Sequence, residues 1–255
     1  MASSTVSITP EVEGVLRASV IEQNRLTLPG TLDRRLYMAT NKVLELLGGK
    51  WNRREKAHVF EDDPGFRIQE ALDAGELVDP VKFYQFYPTP SDVAVRLVFL
   101  AGVADDHRVL EPSAGNGSII KAMPYGFKVD GLKVDACEIQ DSLREEIAPL
   151  CNLVGTDFLA YEPGPIYDRI VANPPFTKGQ SVKHANHMLD CLKPGGRLVC
   201  VMDAGVKFRQ NRATTDFRAR VMLECQGVRW ISLDSGAFKA SGTMVNTVIL
   251  VATKK

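Results

Sequence analysis

From about Leu97 onward, short apolar runs alternate with stretches whose apolar positions recur every three or four residues, the pattern of a parallel sheet covered by helices. It predicts strands at Arg108–Glu111, Lys133–Glu138, Asn152–Gly155, Tyr167–Ala172, Arg197–Met202, Val228–Leu233 and Val245–Thr253. Several are apolar on both faces, as strands covered on each side must be. Helices are predicted at Ser91–Leu100, Asp141–Ala148, Val182–Leu192 and Thr214–Cys225, with Ser91 as a cap and Pro194-Gly195-Gly196 as an abrupt stop. The first 80 residues read differently. A helix opens at Thr9-Pro10, Leu26–Leu28 is a short strand, Leu32–Leu47 is a helix ended by Gly48-Gly49, and Lys50–Phe60 is a strand or hairpin.

Composition changes this picture little. The chain has 255 residues, 45% hydrophobic and 24% charged, so it is a globular chain of one large domain, or one domain with an accessory segment. Lys+Arg 31 balances Asp+Glu 31, so any nucleic-acid contact must come from local patches. Apolar stretches such as Val245–Ala252 are far shorter than a membrane span, and Met1–Thr9 is polar, unlike a secretory signal; the expectation is a cytoplasmic protein with no membrane partner. Five cysteines without a C-x-x-C pair suggest buried free thiols rather than disulfides or zinc.

Chemistry enters at Glu111-Pro112-Ser113-Ala114-Gly115-Asn116-Gly117, where a strand ends in an acid and turns through two glycines into a helix. Such a turn lets the backbone approach a ligand at the carboxyl edge of a sheet. The third glycine of the dinucleotide fingerprint is missing, but Glu138 ends the second strand 138 − 117 = 21 positions past Gly117, where an acid can hold ribose hydroxyls. Together they imply a nucleoside-containing cofactor. Asp157-Phe158 closes the third strand, offering a carboxylate for an adenine amino group and an aromatic ring, or else a turn-capping acid. After the fourth strand comes Asn173-Pro174-Pro175-Phe176. Two prolines stiffen the backbone so that an amide oxygen and a carbonyl converge beside an aromatic ring, which suits the two N–H donors and the π face of a nucleobase amine; the alternative is a rigid turn with a core phenylalanine.

With Tyr87-Pro88-Thr89-Pro90 upstream, the ordered motifs resemble those of class I S-adenosylmethionine-dependent methyltransferases, the N6-adenine DNA methyltransferase group in particular. Lys193-Pro194-Gly195-Gly196 is similar to the approach to the fifth strand in such enzymes, and the likeness covers roughly residues 83–255. It implies an α/β, Rossmann-like sheet of seven strands with the last antiparallel, spanning 81–255, beside a small N-terminal α+β accessory segment, 1–80. It further implies S-adenosyl-L-methionine as cofactor. Tyr87, Thr89, Pro90, Glu111, Ser113, Gly115 and Gly117 would line its methionine end, Glu138 the ribose, and Ile139, Asp157 and Phe158 the adenine. Asn173, Pro174, Pro175 and Phe176 would form the catalytic corner. The implied partner is DNA whose target adenine is flipped out, since a stacked base cannot reach such a pocket.

For holding that DNA, Lys178 and the run Lys207, Arg209, Arg212, Arg218, Arg220 are candidates, with Asp216 the only acid in the run; a solvated basic helix is the alternative. Arg25–His58 carries eight Lys/Arg against three acids, either a phosphate contact or a solvated face. His184 and His187 read as surface histidines, and no metal is expected. No recognition domain of the size many sequence-specific members carry follows Val245–Lys255, and only the N-terminal 80 residues could serve, so site-specific and relaxed-specificity methylation both stay open, as do monomer and dimer. Guanine-N2 RNA methylation, protein-glutamine methylation and a catalytically silent binding protein are the competing readings. A nicotinamide dehydrogenase would leave the Asn-Pro-Pro-Phe loop without a role.

Overall fold

The computed structural model describes residues 5–79, 87–124, 134–239 and 241–255. The chain divides into two compact units, Met1–Phe83 and Tyr84–Lys255.

In the first unit, Thr9 caps helix α1 (Pro10–Ala18) and Asp33 caps α2 (Arg34–Leu46) by accepting the Arg35 and Leu36 amides. The cap moves the start of α2 two residues past the expected Leu32. Strands β1 (Thr5–Ser7) and β6 (Glu76–Val78) pair antiparallel, and β2 (Val20–Glu22), β3 (Arg25–Thr27), β4 (Lys50–Asn52) and β5 (Ala57–Val59) form an antiparallel sheet in the order β2-β3-β5-β4. Lys50–Phe60 is thus a hairpin. A third helix, α3 (Gly65–Ala74), ends at Gly75 with φ 70°. Val12, Leu16, Leu26, Val43, Leu44, Phe60 and Ile68 make the core between these elements. Arg34, Arg35, Lys50, Arg53, Arg54 and Lys56 lie exposed, while Arg25 pairs with Glu55 and Lys42 with Asp79.

The second unit is built on a sheet of seven strands among the described residues: β7 (Val109–Glu111), β8 (Val134–Cys137), β9 (Asn152–Gly155), β10 (Tyr167–Ala172), β11 (Leu192–Asp203), β12 (Cys225–Ser232) and β13 (Thr247–Lys254). Their order is β12-β13-β11-β10-β7-β8-β9, and β13 runs antiparallel to both β11 and β12. The seven-stranded sheet with an antiparallel last strand is the expected one. Alternation along the strands sorts side chains onto two faces: Leu198, Cys200, Met202, Leu250 and Ile170 join one cluster, Val199, Val201, Ile249 and Val171 the other. Helix α4 (Ser91–Ala101) covers the second face with Val93, Ala94, Leu97 and Val98; α7 (Gln180–Cys191) and α8 (Arg212–Glu224) cover the first with Val182, Met188, Phe217 and Val221. Short helices α5 (Ser118–Lys121) and α6 (Asp141–Ile147) follow β7 and β8.

Three local expectations are corrected. Ser91 is the first residue of α4 and Pro90 occupies the cap, its carbonyl accepting the Ala94 amide. Pro194-Gly195-Gly196 does not separate helix from strand: α7 passes straight into β11 at Leu192, and an irregularity opposite Tyr167–Arg169 absorbs the Pro-Gly-Gly, with Gly195 at φ 80°. Likewise β12 starts directly after α8, earlier than Val228, with a bulge between Gln226 and Arg229. All five cysteines are buried and free, and burial pushes the Cys137 thiol up to about 12. No helix among the described residues is long and apolar enough to cross a membrane.

Candidate functional site

Strands β7, β8, β9 and β10 run parallel, so the residues that follow them gather at one edge of the sheet. Strand β7 lies between β8 and β10, where the strand order reverses, and in open α/β sheets this is where ligands bind.

The glycine turn after β7 is held from β8. Glu138 Oε2 accepts the Gly115 amide at 2.7 Å, Oε1 accepts the Gln140 amide at 2.9 Å, and the Cys137 carbonyl accepts the Ala114 amide at 3.0 Å. Gly115 and Gly117 have φ of 54° and 73°, a region glycine occupies without strain, and a Cβ on Gly117 would lie 3.1 Å from Ile147. Ser113 is half-buried beside them. Glu111 is 1% exposed, and its Oε2 has no hydrogen-bond partner. Burial drives its carboxyl well above the ordinary carboxylate range; the Ile120 amide opposes this and the nearby Glu138 charge adds to it. Ile139, just past Glu138, leaves about half of its side chain in solvent.

Asn173 follows β10. Its Nδ2 donates to the Tyr87 carbonyl at 3.3 Å and to Thr89 Oγ1 at 3.1 Å. A carbonyl can only accept, so the amide nitrogen must face Tyr87 and the oxygen must point away. That oxygen, Oδ1, is buried and has no partner. Pro174 is buried, Pro175 and Phe176 are half-buried, and Phe176 meets Phe238 edge-on with ring centroids 6.4 Å apart. The Tyr87–Pro90 segment is itself held at Pro88, whose carbonyl accepts Ser241 Oγ at 2.6 Å. Sequence reasoning missed Phe238 and Ser241; both lie on the segment between β12 and β13, and nothing local to them signals the contact.

The other candidates are placed as follows. Asp157 is exposed and uses Oδ1 to cap the Leu159 amide. The Phe158 ring is 2% exposed and packs against His184 and His187, so it supports this turn from the core. Those histidines are not on the surface: His184 is buried with Nδ1 on the Gln180 carbonyl, and His187 is half-buried on the Tyr161 carbonyl. Lys178 and Lys207 are exposed. Arg209 pairs with buried Asp203 at 2.8 Å, and Arg212, almost fully exposed, lies 3.5 Å from Asp216. Arg218 and Arg220 are spent on the fold: Arg218 donates to the Val206 and Arg209 carbonyls, Arg220 to Asn186, Asp190 and Glu224.

No family model matches the chain. The type II methyltransferase M.TthHB8I of Thermus thermophilus is 30% identical over 106 residues, which are 40% of this chain and 23% of that protein. Among solved structures, a modification subunit of a type I restriction enzyme from Vibrio vulnificus aligns with TM-score 0.55 at 14% identity, over 74% of this chain and 48% of that one. A class I S-adenosylmethionine-dependent methyltransferase from Listeria monocytogenes gives 0.53 at 16%, over 73% and 66%, and the type I restriction enzyme EcoKI M protein gives 0.53 at 18%, over 95% and 56%. The chain thus spans about a quarter of the curated relative and half to two thirds of these structures. Strand order, the antiparallel strand lodged between its neighbours and these likenesses agree: the chain has the fold of the class I S-adenosylmethionine-dependent methyltransferases.

Proposed function

We propose that this chain transfers a methyl group from S-adenosylmethionine to the N6 amine of adenine in DNA. The observation that carries the reading is the orientation of Asn173, whose donor end is taken up by Tyr87 and Thr89 while its buried acceptor end is left without a partner. A buried acceptor with nothing to accept costs stability and calls for a ligand with N–H groups. The methyltransferases among its relatives and structural neighbours support the class of reaction.

The residues fit the cofactor. Gly115 and Gly117 would let the chain come close to it, Thr89, Pro90 and the unpartnered Glu111 Oε2 would hold its methionine end, and Glu138 has lone pairs left for ribose hydroxyls after taking two amides. Ile139 offers an exposed apolar side chain to the adenine, and Asp157 an oxygen to its amino group. When bound, the cofactor supplies an electrophilic methyl group.

Adenine N6 is a poor nucleophile because its lone pair is delocalised into the ring. Asn173 Oδ1 would accept one N–H and the Pro174 carbonyl the other, which favours a pyramidal nitrogen whose lone pair is free to take the methyl group, and the surplus proton of the methylated nitrogen then leaves to solvent. Acceptors held in place before the reaction stand in for a strong base. Phe176 stacks on the everted base and offsets part of the unstacking cost of a few kcal/mol. Nucleoside mass spectrometry of DNA and RNA from cells expressing the chain is the test: N6-methyladenine in DNA is expected, and methylguanine in RNA as the sole product would replace this substrate.

A further inference from the structure

We propose that Phe208 is a wedge that stacks in the DNA beside the extruded adenine, an inference that rests on the base-methylation reading above. Phe208 is 69% exposed, yet the backbone that carries it is fixed on every side. It follows a short turn after β11, Ala204–Lys207, in which Val206 is fully buried. The Phe208 and Arg209 amides donate to the Gly205 carbonyl at 3.1 and 2.8 Å, and the Ala204 amide donates to Asn246. Arg218 clamps the Val206 and Arg209 carbonyls, both at 2.8 Å. Arg209 reaches back to Asp203, and a Cβ on Gly205 would collide with its guanidinium at 2.7 Å. A turn bound so tightly does not leave its phenylalanine in water for want of order; it presents the ring.

The turn also belongs to the site edge. Strand β11 runs parallel beside β10, with Ala172 opposite Cys200, so both strands end on the side where Asn173 sits. Asp203, which holds Arg209, also accepts Ser181 Oγ at 3.4 Å, and Ser181 lies in the first turn of α7, just past the Asn-Pro-Pro-Phe loop. The turn that carries the ring and the helix that follows the catalytic corner therefore share one buried carboxylate. Phe99, another strongly exposed ring, sits at the far end of α4, where Arg197 bonds the Leu100 carbonyl at the opposite edge of the sheet.

The chemistry around the ring points to nucleic acid. Lys207 and Arg212 flank it in the open and suit phosphates, while the apolar ring suits neither phosphate nor water. A base taken out of a duplex leaves two unstacked faces, and proteins that distort DNA fill such gaps with apolar side chains.

The test uses the full chain and a duplex carrying a methylated site mapped in DNA from expressing cells, with the target adenine opposite either thymine or an abasic site. Phe208→Ala should lower the transfer rate on the paired duplex about tenfold or more, the scale of one lost stacking contact. The abasic partner, which makes extrusion easy, should bring it back to near the unsubstituted rate, and Phe208→Trp should stay active on both. Because the ring is exposed, thermal unfolding of the variants should match the parent. Equal loss on the two duplexes, or no loss on either, overturns the wedge while leaving the methylation reading intact. No transfer by the unsubstituted chain on any DNA overturns both.

Discussion

Thr89 Oγ1 lies 3.1 Å from Asn173 Nδ2, across 84 residues of sequence, and with the Tyr87 carbonyl it decides which end of the Asn173 amide faces inward. The motif preceding the first strand of the sheet and the motif after its fourth are thus one unit. The first spends the donor of the second, so that an acceptor remains.

Thr89→Val keeps the shape and removes the hydroxyl. The Tyr87 carbonyl still holds the amide, so turnover should fall several-fold, in line with about 1 kcal/mol for one hydrogen bond. Asn173→Asp is the harsher change, because a carboxylate would set an oxygen against the Tyr87 carbonyl; steady-state kinetics should show kcat falling at least tenfold further than in Thr89→Val. Equal effects of the two variants would show that amide orientation is not what matters.

Ser241 acts one step further out, on the Pro88 carbonyl at 2.6 Å. It is a positioning residue. Ser241→Ala should lower kcat with a smaller change in cofactor affinity, and Ser241→Thr, which keeps the hydroxyl, should recover most of the loss. Calorimetry of cofactor binding beside turnover measurements separates this from a general loosening, which would weaken both and not be rescued.

Much of this could be read from the chain because it is written locally. The carboxyl edge of a parallel sheet is announced by where apolar runs stop, and Glu111, Glu138 and Asn173 all stand at such stops. Contacts made across the chain were hidden. Ser241 reaches Pro88 over 153 residues, and no pattern near either residue signals it. The basic run after β11 misled for a related reason: composition counts charges, whereas folding spent Arg218 and Arg220 on carbonyls and carboxylates, leaving Lys207 and Arg212 outward. Histidines three apart on a helix read as surface residues until Phe158 packed against them.

Glu111 should make the cofactor-free protein sensitive to pH. Burial raises its carboxyl above the value of about 4.3 that a glutamate has in an unfolded chain. Between the two values the folded protein holds a proton that the unfolded chain has released, so stability is fully present below the unfolded value and is lost as pH rises through the folded one. Glu111→Gln cannot ionise. Its melting temperature should match the parent near pH 4 and exceed it increasingly toward pH 8, and its cofactor affinity should drop. Parallel melting curves across that range would remove Glu111 as the source.

The opposite edge of the sheet should be silent in catalysis and costly in stability. Asp135 is 4% exposed, and its carboxylate accepts Arg108 Nε and Nη2 at 2.9 and 2.8 Å, Tyr167 Oη at 2.8 Å and Asn152 Nδ2 at 2.8 Å, tying together the starts of β7, β9 and β10. Tyr167 also meets Tyr161 Oη at 2.9 Å, and Arg108 lies over its ring at 5.3 Å. Asp135→Ala removes a buried acceptor shared by four donors; since Tyr167 Oη keeps Tyr161, Asn152 is exposed and Arg108 is half in solvent, the loss should be about 2–3 kcal/mol rather than that of a fully buried pair. Tyr167→Phe removes one donor and leaves the other three, so about 1 kcal/mol is expected. Chemical denaturation should rank them in that order. Turnover per folded molecule should stay at the parent level in both, because the network stands at the ends of the strands away from Asn173; a fall in kcat with folding intact would mean that strain at one edge reaches the other.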